Sequence, residues 1–154
     1  PAIAVENEDE DEYFEEEEEE PLDPAQIQAN LEAAKEKKRL QDIESKQLQK
    51  RFKEKQRLPK YRERVAQRSI LPAYVMKDAI VEAIDKHSVT VISGDTGCGK
   101  TTQVPQFVLD DWIEKGRGGE CNIIVTQPRR ISAMSVAERI AHERVEQVGQ
   151  SAGY

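Results

Sequence analysis

The sequence predicts an α/β chain: an incomplete parallel sheet, preceded by a disordered acidic tail and a long charged helix. Three observations predict it. In the second half, β-branched runs alternate with amphipathic stretches in the order strand, helix, strand, helix, strand, which implies parallel strands joined by right-handed crossovers. A glycine-rich loop stands between the first β-branched run and the helix after it. Charge is sharply partitioned along the chain. Residues 1–34 carry fourteen Asp/Glu and no Lys/Arg, residues 35–68 carry fourteen Lys/Arg against five Asp/Glu, and residues 69–154 carry nine against eleven.

The elements follow in order. Residues 1–23 form the tail. Its core, "ENEDEDEYFEEEEEE", is low-complexity and acidic, and dense like charge opposes collapse. Tyr13 and Phe14 interrupt it, as in some binding motifs, but the plain reading is a solvated tail. Residues 24–68 form a charged helical arm and linker. From 24 to 57 the chain is rich in Ala, Gln, Glu, Lys and Leu, all good helix formers, and Asp23 is placed to cap it. Ile27, Leu31, Ala34, Leu40, Ile43, Leu48 and Phe52 make a thin stripe that is no sustained heptad. Lys35, Lys37, Lys38, Arg39, Lys50, Arg51, Lys53, Lys55 and Arg57 offer charge for phosphate contacts. The bland alternative is a solvated face. Aromatic stacking platforms are nearly absent there.

Residues 69–154 carry the α/β part. Pro59 and Pro72 bracket a short connection. Pro72 then opens one amphipathic helix, "LPAYVMKDAIVEAIDKH", with Met76, Ile80, Ala83 and Ile84 on one face. "SVTVIS", residues 88–93, reads as the first strand. A helix follows from Lys100 to Glu114, with Pro105 inside it. "GRGG" is a loop, and "CNIIVT", residues 121–126, is the second strand. "SAMSVAERIAHERVEQ" is the next helix, with Met134, Val136, Ala137, Ile140 and Ala141 inward and Gly149 as its stop. Residues 152–154 open a third strand. The chain begins without Met and stops at "SAGY", which reads as a piece of a longer protein.

Two cysteines, Cys98 and Cys121, sit in no metal-ligand spacing and are expected to be free thiols of a reducing compartment. The start shows no signal-peptide pattern, and no run of eighteen apolar residues is present, so no membrane span is expected.

The loop carries the chemistry. Gly94, Gly99, Lys100 and Thr101 fit G-x-x-x-x-G-K-[ST]. Small residues let the backbone curl so that successive N–H groups face a phosphate. The following helix adds the positive end of its dipole. Lys100 reaches the β- and γ-phosphates of a nucleotide, and the Thr101 hydroxyl ligates Mg²⁺. Arg129 and Arg130 stand past the carboxyl end of the second strand, where open α/β sheets bind ligands. At a helix start they oppose the dipole, which favours a functional reason, such as a phosphodiester backbone. On these residues alone a P-loop NTPase of another kind also stands. So does an interaction protein working through its acidic and basic arms.

"GDTGCGKTTQVPQF", "TQPRRISAMSVAERIA" and the closing "GY" resemble the start of the first RecA-like lobe of DEAH/RHA-type (DExH-box) superfamily 2 RNA helicases. "TGCGKTTQ" is nearer the RNA helicase A-like branch. The resemblance covers residues 69–154. It implies a RecA-like P-loop fold, cut short within the lobe. It implies an ATP site of Gly94, Thr96, Gly97, Gly99, Lys100, Thr101 and Thr102, with Lys100 and Thr101 catalytic and Thr101 on Mg²⁺. Arg139, in "SVAER", matches the arginine that stacks on the nucleotide base. Thr126, Gln127, Pro128, Arg129 and Arg130 match the motif that grips RNA. The acidic DExH box and a second lobe with its arginine finger are absent from these residues. Both stabilise phosphoryl transfer. The expectation is therefore a parent protein that hydrolyses NTP and unwinds or translocates on RNA, and a fragment that at most binds nucleotide. RNA is the expected partner, with proteins binding through residues 6–68, no membrane, and an intracellular home in cytoplasm or nucleus.

Overall fold

The computed structural model describes residues 23–154. The expected disorder of the acidic tract, with Tyr13 and Phe14, lies outside the described residues. The chain divides into two units, 1–34 and 35–154. Of the first, the described residues are Asp23 and the opening of a long helix. The packing below is that of the second.

The described residues hold six α-helices and one 3₁₀ turn: α1 Pro24–Gln56, α2 Pro59–Ser69, α3 Pro72–Val75, α4 Lys77–Lys86, α5 Lys100–Glu114, the 3₁₀ turn Gly118–Glu120, and α6 Arg130–Glu143. Among the described residues there is no strand. This corrects the expected α/β parallel sheet. "SVTVIS" and "CNIIVT" have the β-branched composition of strands, but a strand is stabilised by the neighbour it pairs with. Here neither segment joins a backbone ladder. Val89, Val91 and Ile124 lie 82%, 89% and 84% exposed. The third strand expected at 152–154 is likewise absent.

Asp23 caps α1 as expected: its carbonyl accepts from the Ile27 N–H at 3.0 Å, and its carboxylate from the Ala25 N–H at 3.4 Å. Most of the predicted apolar stripe is exposed, at Ile27, Leu31, Leu40 and Ile43. Leu48 and Phe52 are the part that packs. They meet Tyr61 of α2 and Ile113 of α5, with Val65, Leu109 and Val145 around them. Phe52 and Tyr61 stand edge to face at 6.3 Å, a geometry aromatic quadrupoles prefer. A second such pair, Tyr74 and Phe107 at 5.5 Å, seats α3 on α5.

α2 is a helix where a plain short connection is expected. Its helical spacing is carried by Tyr61, Val65 and Arg68, two of them polar, and Tyr61 and Arg68 are buried. The single helix expected from Pro72 is instead split at Met76, whose φ of −95° and ψ of 10° interrupt it. Proline fills the first position of both α2 and α3. That position needs no N–H donor.

α5 spans Lys100–Glu114 with Pro105 inside it. One residue beyond the disturbed carbonyl, the Gln106 side chain donates to the Thr102 carbonyl at 2.7 Å. α6 stops at Glu143, well before the expected Gly149. The Glu146 N–H bonds the Ala141 carbonyl and the Val145 N–H the His142 carbonyl. This is the Schellman pattern, with valine in the left-handed position at φ 57°.

Candidate nucleotide-binding site

The loop Gly94–Gly99 joins an exposed segment to the N-terminus of α5. Gly97 and Gly99 hold φ of 83° and 100°, values that side chains rarely adopt. A Cβ on Gly97 would meet nothing within 4 Å, so that glycine answers to backbone conformation and not to space. The loop is tied down by the Ala73 N–H, which donates to the Cys98 carbonyl at 3.0 Å. The break at Met76 leaves α3 free to aim this donor.

Among the described residues, the N–H groups of Thr96, Gly97, Gly99, Lys100, Thr101 and Thr102 donate to no backbone carbonyl. Three of them are the open donors of a helix's first turn. Lys100 Nζ folds over the same loop and donates to the Gly94 and Asp95 carbonyls at 2.6 and 2.9 Å. Open amides, a helix N-terminus and an ammonium group within nine residues suit a polyphosphate. Thr101 is exposed and starts the helix beside Lys100. No group of three or more His, Cys, Asp or Glu able to hold a metal occurs among the described residues. Thr102 is half-buried, its Oγ1 3.4 Å from the Gly99 carbonyl.

A groove of about 660 Å³ flanks the loop, between Pro72–Ala83 and Thr90–Lys100. Gly94, Thr96, Gly97 and Lys100 line it, and Gly99, Thr101, Thr102 and Arg139 do not. Arg139 lies on α6, 64% exposed, and its Nε donates to Glu143 Oε1 at 2.6 Å. Thr126, Arg129 and Arg130 are each exposed, at and just before the start of α6. Arg129 is its N-cap, with an extended backbone, and Arg130 its first residue. Pro128 is exposed and Gln127 half-buried. Among the described residues neither arginine forms an ion pair. Cys98 and Cys121 are free thiols, and burial pushes the Cys121 thiol up.

No family model matches the chain. Curated proteins do. The chain is 54% identical over 117 residues to the ATP-dependent DNA/RNA helicase DHX36 of Bos taurus, covering 75% of the chain and 11% of that protein. It is 57% identical over 96 residues to the DExH-box ATP-dependent RNA helicase DExH3 of Arabidopsis thaliana, covering 62% and 8%. It is 51% identical over 105 residues to the putative ATP-dependent RNA helicase DHX57 of Homo sapiens, covering 68% and 8%. The chain carries a DExH-box helicase segment. It spans about a tenth of the length of the relatives it matches.

Behind the loop of this helicase segment lies a buried polar layer that sequence reasoning missed. Gln103, Gln106, Glu143 and Arg68 are each no more than 3% exposed. Glu143 Oε2 accepts from the Gln103 and Gln106 side-chain amides, both at 2.9 Å. Burial by itself would raise the Glu143 carboxyl. The hydrogen bonds from Gln103, Arg139 and Gln106 outweigh it and hold that carboxyl below its ordinary range. A second buried group joins α5 to the end of α6: Arg144 Nη1 donates to Asp110 Oδ1 at 2.6 Å, and its Nε faces Glu146 at 3.5 Å. Glu146 also pairs with Lys55 of α1. Buried charges persist only when paired. The one available signal was polarity at helix positions whose spacing points inward.

Proposed function

We propose that this chain is the phosphate-binding part of an ATP-dependent RNA helicase, whose whole activity is NTP hydrolysis coupled to RNA binding and unwinding or translocation. The observation that carries it is the loop and the helix start it feeds: six N–H groups free of backbone partners, with the Lys100 ammonium folded over the loop and the Cys98 carbonyl tethered to α3. Lys100 draws charge from the β- and γ-phosphates and Thr101 holds Mg²⁺, which, when bound, neutralises developing phosphate charge. Arg139 meets the nucleotide base. Its guanidinium is exposed and its orientation is set by Glu143. Thr126, Arg129 and Arg130 receive the RNA backbone. Two adjacent unpaired arginines at an exposed helix start suit phosphodiesters.

The relatives' printed names, ATP-dependent DNA/RNA helicase and RNA helicase, support this reading over other P-loop NTPases. The 154 residues hold no D-E-x-H box, so this chain by itself at most binds nucleotide, without turning it over. Residues 6–68 remain the surface for protein partners. No described helix is long and apolar enough to cross a membrane, and two free thiols suit the cytoplasm or nucleus.

The test is ATP binding by titration calorimetry, with and without Lys100→Ala. Removing the ammonium from a charge-assisted contact should weaken ATP by about tenfold or more. Equal binding by the variant would remove the loop from nucleotide recognition.

A further inference from the structure

Thr102 carries the last open N–H of the first turn of α5, and its hydroxyl oxygen is held from one side. Gln103 Nε2 donates to Thr102 Oγ1 at 2.9 Å and to Glu143 Oε2 at 2.9 Å. Gln103 Oε1 accepts from Arg68 Nε at 2.7 Å. The chemistry of these partners leaves one orientation for the amide. An arginine Nε–H only donates, so it must face the oxygen; an ionised carboxylate only accepts, so it must face the NH₂. With its NH₂ on Thr102, Gln103 makes that hydroxyl an acceptor on its inner side. The hydroxyl proton is left with the Gly99 carbonyl at 3.4 Å, too long to hold it firmly. It is free to turn to a better acceptor.

We propose that Arg68, on α2 and outside the loop motif, is a positioning residue of the phosphate site, acting through Gln103 to present the Thr102 hydroxyl proton to the bound nucleotide. Arg68 also stands 3.8 Å from Glu143, so it braces both Gln103 and the carboxylate that accepts from it. Arg68 and Gln103 are 3% and 0% exposed, which keeps water from competing for the amide. The charged arm before residue 69 thereby becomes part of the nucleotide site. This inference rests on the loop being that site.

The experiment is a double-mutant cycle on ATP affinity with Arg68→Gln and Thr102→Val in this chain. Losing one positioned hydrogen bond should weaken ATP about three- to tenfold in the Arg68→Gln protein. In the Thr102→Val background the same change should do almost nothing further, because its target hydroxyl is gone. A loss of equal size in both backgrounds would show only general damage and overturn the proposal. A second measurement needs neither variant nor nucleotide. The Gln103 side-chain amide protons should exchange slowly with solvent in the unaltered chain, and exchange at the solvent rate would also overturn it. If Lys100→Ala leaves ATP binding intact, the phosphate-site reading fails separately, while amide exchange still reports on the Arg68–Gln103 link.

Discussion

Val145 sits at φ 57°, where the Cβ of an L-residue crowds the following carbonyl at roughly 1–2 kcal/mol. The position is the left-handed turn that ends α6, commonly glycine. Two neighbours explain the valine. Its side chain packs on the Phe52–Tyr61–Ile113 cluster, and the turn delivers Arg144 to its buried partners. Strain and packing thus oppose each other at one residue. Val145→Ala keeps most of the strain and gives up packing, so we expect a loss of about 1 kcal/mol. Val145→Gly removes more side chain but relieves the backbone, so it should lose less. Urea unfolding of the two variants decides it, and a glycine variant weaker than the alanine one would rule out strain as the governing term. The residue scale is also where the site was most legible. Gly94, Gly99, Lys100 and Thr101 announce themselves because the proposed phosphate loop is built from neighbours in sequence. Arg68, Gln103 and Glu143 did not. They meet across separations of 35 and 40 residues, and no local pattern encodes such a meeting.

At the scale of elements, one contact fastens α1 to the 3₁₀ turn. The Gly119 N–H donates to Ser45 Oγ at 2.9 Å. A Cβ on Gly119 would stand 2.5 Å from the Gln41 carbonyl oxygen and 3.1 Å from Ser45 Oγ. That oxygen belongs to a helix backbone and cannot step aside. Gly119→Ala should therefore push the turn off α1 and cost about 1–3 kcal/mol, the usual size of overpacking. Thermal unfolding with an unchanged midpoint would show that the two elements part freely. Elements whose pattern is local were read well: α5 begins and ends where the sequence placed it. α2 was missed because Arg68 serves as an inward residue, and inward arginine defeats a search for apolar stripes. The split at Met76 was missed because no glycine or proline marks it. The strands failed for another reason. Composition states what a segment tolerates, and pairing is a fact about a second segment.

For the molecule as a whole, the binding of α5 to the end of α6 depends on charge kept from water. Arg144 is 1% exposed against Asp110 and Glu146, and Ser151 Oγ accepts its Nε–H at 3.0 Å. Removing one member strands the other. Asp110→Ala should cost about 3–5 kcal/mol. Asp110→Leu combined with Arg144→Met should cost less than that single change, since no charge is left unpaired. Chemical denaturation measures both, and a cheap Asp110→Ala would mean that water reaches Arg144 in solution.

Val89, Val91 and Ile124 remain turned to solvent. Apolar patches of this kind, next to backbone groups without partners, invite contact between molecules. The net charge of −7 works the other way, because like-charged molecules repel over a distance that salt shortens. The colloidal behaviour of the chain is therefore set by salt. In dilute buffer repulsion keeps the molecules apart, and as ions are added the second virial coefficient falls and changes sign where the oily segments begin to find each other.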